Sequence, residues 1–343
     1  MNRFTYSHAG SVAEAAAQAS ATVADAMTHA GPGPGARDAS VVKAGGIDLL
    51  DLMKEDLLAP KRVVSLTRIA GLDAVREDEA GGVRIGATAT LARLVEHPAL
   101  RRFAALVDAL RESASPQIRN VATLGGNLLQ RPRCWYFRAA EYHCLRKGGG
   151  QCFALSGDNR YHAVFDNQPC AIVHPSTAAT ALVALNATVE LTDARGAVRE
   201  PLLENFFARP GREWHRENDL RSGEILTAVS VPRLPAGARS AHVKQGEKDS
   251  FDWPLADVAV RLDITAEGRC GSAAVILGAA APAPHRAGAA ERVLAGRPID
   301  EGLAREAGRA ALQGAAPLSG NAFKLPLFET LVARAVMKAA AGG

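Results

Sequence analysis

The chain has 343 residues, 48% of them hydrophobic, with a formal net charge of +4, which suits two or three domains of roughly 100–200 residues each. Its Lys and Arg are scattered rather than striped, so no nucleic-acid footprint is expected. No apolar run approaches the roughly 20 residues of a membrane span, and Met1–Tyr6 lacks a basic stretch followed by an apolar one, so no signal peptide is expected either.

In chain order, Val12–Met27 is alanine-rich and predicts a helix, and Gly31–Gly35 a flexible loop. A short apolar strand at Val41–Ala44 then runs through Gly45-Gly46 into a helix ending near Lys54. Arg62–Leu66 and Val83–Ala87 have strand composition, and Thr88–Val95 and Pro98–Arg111 have helical periodicity. Strands alternating with helices favour α/β architecture here. Residues 131–170 carry glycine clusters and no sustained period, and are expected to form a functional loop excursion. Beyond it, His174-Pro175-Ser176 starts a helix over Thr177–Leu185, and Thr188–Thr192 is an alternating strand. Ile225–Val231 is another, and a boundary is expected at Pro232–Ala238. Strands at Ala241–Lys244, Val258–Thr265 and Ala273–Leu277 precede helices at Arg286–Leu294, Gly302–Leu312 and Pro326–Ala340. Strands followed by helices indicate a separate α+β unit.

Two glycine turns share a logic. Ala44-Gly45-Gly46 joins a strand to a helix, and Thr123-Leu124-Gly125-Gly126-Asn127 sits between apolar residues. Glycine lets a backbone approach closely and turn its amides onto an anion, and a helix N-terminus adds positive potential. Thr123 and Asn127 supply neutral donors, while Asp48 is placed to bind a ribose hydroxyl or to cap the helix. Paired glycines also simply make turns, and neither a G-x-G-x-x-G nor a Walker sequence is present.

Four of the five cysteines, Cys134, Cys144, Cys152 and Cys170, follow the pattern C-x₉-C-x₇-C-x₁₇-C. Clustered cysteines in a large chain without an export signal suggest metal or redox chemistry. The close pairs of zinc sites and the short ferredoxin run are both absent. An iron–sulfur cluster, a single metal, disulfides and inert buried thiols all stay open on spacing alone. Arg131, Arg133, Arg138, Arg146 and Lys147 would offset thiolate charge. His143, His162 and His174 fall nearby and are expected in surface or packing roles, and Cys270 in a structural one within a turn. No catalytic acid, base or nucleophile presents itself.

Several segments together resemble the FAD-binding medium subunit of the molybdenum hydroxylases, the xanthine dehydrogenase and carbon monoxide dehydrogenase superfamily. They are Lys43–Leu50, Ile85–Thr88, Ile118–Asn127, Gly223–Leu226, Leu277–Pro284 and Gly320–Lys324, in collinear order over nearly the whole chain. Arg133–Arg138 and Gly150–Ala154 are similar to the aldehyde oxidoreductase branch, whose flavin subunit also carries a 4Fe–4S cluster. The resemblance implies an α+β fold of the vanillyl-alcohol-oxidase type, built from α/β subdomains at residues 1–60 and 61–235. An iron–sulfur loop is inserted at 131–172, and a C-terminal α+β domain follows at 236–343. It implies FAD held by Lys43, Ala44, Gly45, Gly46, Ile47, Asp48, Leu49, Thr123, Gly125, Gly126 and Asn127, with Thr88, Thr177 and Lys244 near the flavin. It also implies a 4Fe–4S cluster on Cys134, Cys144, Cys152 and Cys170. The expected partners are a large molybdenum-cofactor subunit, a small 2Fe–2S subunit and an external electron acceptor. The compartment would be the cytoplasm, or the periplasm if a signal-bearing partner exports the complex. Many relatives carry Asp where this chain has Thr177, and the segment from Lys244 lacks an arginine-rich form. The alternatives are a non-redox scaffold with a structural metal and a self-sufficient flavin oxidase.

Overall fold

The computed structural model describes residues 1–28, 38–207, 214–248 and 250–342; the expected loop at Gly31–Gly35 lies outside them. Three sheets organise the chain. The first is parallel, with Arg62–Ser65 between Thr5–His8 and Ser40–Lys43. Its core joins Val41 and Val63 to Leu49, Leu52 and Met53 of the helix Ile47–Lys54. Phe137 and Cys144 of the cysteine segment pack into the same core, so that segment is built into the fold.

The alanine-rich run Val12–Met27 is two helices, not one. Val12–Gln18 ends at an extended Ala19, and Val23–Met27 restarts where the Thr22 hydroxyl accepts the Asp25 amide. The amides of Ser20 and Ala21 bond to Ser40 O, at the start of the neighbouring strand. A capping threonine and a tertiary backbone contact outweigh alanine's helix preference.

The second sheet is antiparallel, in the order Val75–Glu77, Val83–Gly86, Glu224–Val231, Thr188–Asp193, Val198–Arg199. The late strand Glu224–Val231 lies centrally, and bonds between it and earlier strands close the sheet. Thr177–Ala184 follows the Ser176 cap expected from sequence. This helix is buried at every position, as a predominantly apolar helix should be, and its two threonine hydroxyls bond to buried protein partners.

The third sheet is an antiparallel series, His285–Arg286, Cys270–Gly278, Ala256–Ile264, Ala238–Gln245. It shares a core with the helices Gly288–Leu294, Glu301–Ala310 and Lys324–Ala340. Cys270, expected in a turn, begins a strand and is fully buried in this core. Beneath the sheet, enclosed His242 places Nε2 3.1 Å from Asp257 Oδ2. Glu112, at 3.5 Å from Nδ1, acts by charge more than as a good hydrogen bond. Burial opposes the imidazolium, but Asp257 and then Glu112 outweigh it and raise the pKa to about 9.

The His242 contribution is full below its unfolded pKa of roughly 6.5 and is lost as pH rises through the folded value. Buried Lys324 works in the opposite sense, because burial lowers its pKa to about 7. A comparison with His242→Gln cancels the lysine. The stability gap between wild type and variant, from urea unfolding, is expected to narrow as pH goes from 6.5 through 9; a gap constant with pH would contradict the protonated-histidine assignment.

Candidate functional site

A cleft of about 560 Å³ opens between the first and second sheets, with one wall supplied by the third. It lies past the carboxyl ends of the parallel strands, at Lys43–Gly46 and Leu66, the usual ligand position in parallel sheets. Its residues include every expected cofactor contact: Lys43 through Leu49, Thr88, Thr123, Gly125, Gly126, Asn127, Thr177 and Lys244.

The two glycine turns meet there, backbone on backbone. A Cβ on Gly45 would stand 2.1 Å from Val121 O, and one on Gly125 would fall 2.9 Å from the Ala87 Cβ. Backbone bonds from Gly125 N to Ala87 O, Leu124 N to Ala89 O and Leu91 N to Ala122 O hold the second turn in place. Gly46, at φ +86°, is the N-cap of Ile47–Lys54, and the first helical bond runs from Leu50 N to its carbonyl. The amides of Ile47, Asp48 and Leu49 therefore have no intrahelical acceptor and stand at the cleft. These neutral, close-packed donors at a positive helix end fit a pyrophosphate.

Other expected contacts already have protein partners. Thr123 Oγ1 accepts from Gly126 N, and Asn127 Oδ1 accepts from Ser176 Oγ at 2.5 Å. Thr177 Oγ1 is 2.6 Å from Ser113 Oγ, and Lys244 Nζ donates to Glu112 O. Asp48 does not cap its helix. Its carboxylate accepts from Arg131 N and Arg138 Nη2 and pairs with Arg133 Nη2 at 2.7 Å, all from the start of the cysteine segment. The sequence reading missed three parts of the wall. These are Glu112–Ser115, with Ala114 at φ +56°, the stretch Arg216–Arg221, and the rim residues Phe251 and Trp253. Arg133 stacks over Trp253 and Arg119 over Phe251. The Ser115-Pro116 helix start and the exposed aromatics were the signals available.

The four cysteines Cys134, Cys144, Cys152 and Cys170, separated by up to 36 positions in sequence, line one small second cavity with Arg146, His162 and Phe153. All five cysteines are free thiols, which removes the disulfide alternative. Among the described residues, no group of three or more His, Cys, Asp and Glu side chains could hold a metal ion. Burial pushes the Cys134 thiol up to about 12 and raises that of Cys144. Cys170 is pulled down, chiefly by the Cys152 thiol and further by Arg146, while Cys152 is raised.

The basic residues of the segment divide. Arg131, Arg133 and Arg138 turn to the carboxylates Glu217, Asp48 and Asp51; only Arg146 and Lys147 bear on the sulfurs. His162 Nε2 is 3.2 Å from Cys134 Sγ, and burial lowers its pKa to about 4. His174, expected at the surface or in packing, packs edge-on to Phe207 and accepts the Ser176 amide. The segment is tied to the third sheet's helices by buried bonds. Asn321 Nδ2 and Lys324 Nζ both donate to His162 O, and Asn159 Oδ1 accepts from Gly320 N.

Residues 2–234 match the model of the FAD binding domain in molybdopterin dehydrogenase. The chain belongs to this family of FAD-binding subunits. Residues 241–339 match the CO dehydrogenase flavoprotein C-terminal domain. The chain is 35% identical to the aldehyde oxidoreductase FAD-binding subunit PaoB of Escherichia coli, over 99% of each. It is 29% identical to a putative xanthine dehydrogenase FAD-binding subunit of the same organism, over 94% of this chain and 96% of that one. Among solved structures, reconstituted CO dehydrogenase from Oligotropha carboxidovorans superposes with a TM-score of 0.74 at 24% identity, over 100% of this chain and 99% of that one. These relatives are subunits of oxidoreductases, and the α+β fold with its FAD-binding and C-terminal parts agrees with the expectation from sequence. Among the described residues no helix is long and apolar enough to cross a membrane.

Proposed function

We propose that this chain is the electron-transfer subunit of a heterotrimeric molybdenum hydroxylase acting on aldehydes. It would pass electrons from a large molybdenum subunit and a small 2Fe–2S subunit through FAD to an external acceptor, with a 4Fe–4S cluster of its own. Residues 1–60 and 61–235 would form the FAD-binding subdomains, with the cluster segment at 131–172, and residues 236–343 the C-terminal domain. When bound, FAD and the cluster supply the redox chemistry, and the chain's residues hold, orient and shield them.

The observation that carries the reading is the adjacency of two built sites. The glycine turns and the first amides of Ile47–Lys54 make a cradle for the pyrophosphate of FAD. On the far side of Arg131 and Glu217, Cys134, Cys144, Cys152 and Cys170 surround one cavity. Four thiols around a shared void offer the ligand number and type of a cluster. The likeness to the aldehyde oxidoreductase subunit over 99% of both chains supports the choice of branch.

Iron and acid-labile sulfide in the co-purified complex test the reading. Wild type is expected to hold roughly four irons per flavin beyond those of the 2Fe–2S subunit. Cys152→Ser is expected to lose most of that fraction, and Cys270→Ser none. Iron unchanged in Cys152→Ser would contradict the ligand assignment. Zinc in place of iron in wild type would support the scaffold alternative.

A further inference from the structure

One carboxylate separates the cleft from the cysteine cavity. Glu217 Oε2 pairs with Arg131 Nε at 3.0 Å, and its Oε1 accepts from Arg146 Nη1 at 2.6 Å. All three side chains are at most 3% exposed. Arg131 and Glu217 line the cleft, whereas Arg146 lines the cysteine cavity beside Cys170.

The arrangement is rigid at both ends. Arg131 also donates to His215 O and lies over the Phe137 ring, 4.9 Å from its centroid. Arg146 sits in a tight turn fixed by Leu145 N to Gln151 O and Lys147 N to Cys144 O. Burying a guanidinium costs several kcal/mol unless it is paired. Arg146 is paired by the Glu217 carboxylate and lines the cavity of the four thiols. The Arg131–Glu217–Arg146 set carries a net positive charge beside the thiols. The other cation bearing on them, Lys147, acts first on Cys144.

We propose that Arg146 is a positioning residue that sets the reduction potential of the centre held by the four cysteines, with Glu217 fixing its guanidinium at the wall of their cavity. The inference rests on the cluster reading above. A buried positive charge beside the ligand sulfurs stabilises the electron-rich, reduced form, and the effect is large where water is excluded. The neutral variant should therefore have the lower potential. A charge-retaining variant should fall between the neutral one and wild type, because lysine lacks the planar fork by which Glu217 holds the charge at the cavity wall.

The test is an EPR-monitored redox titration of the assembled complex, with iron, sulfide and flavin counted in each preparation. Arg146→Met keeps much of the stem and removes charge and donors. It is expected to retain its iron and to need a poise lower by a tenfold change in oxidised-to-reduced ratio, about 59 mV for one electron. Arg146→Lys is expected to recover part of that shift. A full iron complement in Arg146→Met with the wild-type potential overturns the proposal. If Arg146→Met loses its iron, Arg146→Lys decides: a lowered potential supports the proposal and the wild-type value overturns it. Absence of the additional iron from wild type itself would instead overturn the cluster reading.

Discussion

Replacing Gly45 with alanine is expected to lower the flavin content of the purified complex at least tenfold, a loss of about 1.4 kcal/mol or more in binding. The added Cβ would stand 2.1 Å from the carbonyl oxygen of Val121, and neither side can yield cheaply. Val121 N and Ala122 N both bond to Ile118 O, while Ala122 O accepts from Leu91 N. Gly45 is held by the strand before it and the helix after it. The methyl group must therefore separate the two turns that form the phosphate cradle. Gly10→Ala, outside the cleft, is the control: its Cβ would meet only Glu14 Oε2, at an ordinary contact distance of 3.5 Å. Flavin released by denaturation and counted against protein gives the comparison. Equal flavin in Gly45→Ala and wild type would mean that close apposition of the turns is not what holds the cofactor.

The second large effect is on stability. Glu217→Leu is expected to cost about 3–5 kcal/mol, because it leaves two buried guanidiniums without their shared carboxylate. Their side chains are 2% and 3% exposed, and each lowers the other's affinity for its proton once the anion between them is gone. The surface pair Arg102–Glu77, with both side chains more than 40% exposed, gives the contrast. Glu77→Leu there should cost no more than about 1 kcal/mol. Urea unfolding of the two variants measures the difference. Similar small losses in both would show that Arg131 and Arg146 reach other partners when Glu217 is removed.

The parts of the site readable from sequence are those whose chemistry is local. Gly45-Gly46 follows a strand and begins a helix, so its role as a turn beside a helix N-terminus can be inferred from neighbouring residues. Ser176 capping Thr177–Ala184 is readable for the same reason. What escaped is set by partners distant in the chain. Glu217 meets Arg146 across 71 positions, and Arg131 N meets Asp48 across 83; no local pattern marks either. The five basic residues among the cysteines looked equivalent as charge for a thiolate centre. Tertiary packing divides them: Asp48, Asp51 and Glu217 pair with four, and of these only Arg146 also lines the cysteine cavity. Irregular backbone over 131–170 read as a loop excursion, yet Phe137 is core and Asn321 and Lys324 anchor the segment from the other end of the chain. Such order comes from buried hydrogen bonds to non-repeating backbone, which leave no periodicity to detect.

The visible spectrum of the complex, recorded before and after an aromatic aldehyde is added without oxygen, tests the central claim most directly. The account predicts a flavin band over broad iron–sulfur absorption, with both bleaching on reduction and returning when an acceptor is supplied. A complex lacking flavin absorption, or one whose flavin and iron–sulfur bands ignore every reductant, would contradict it.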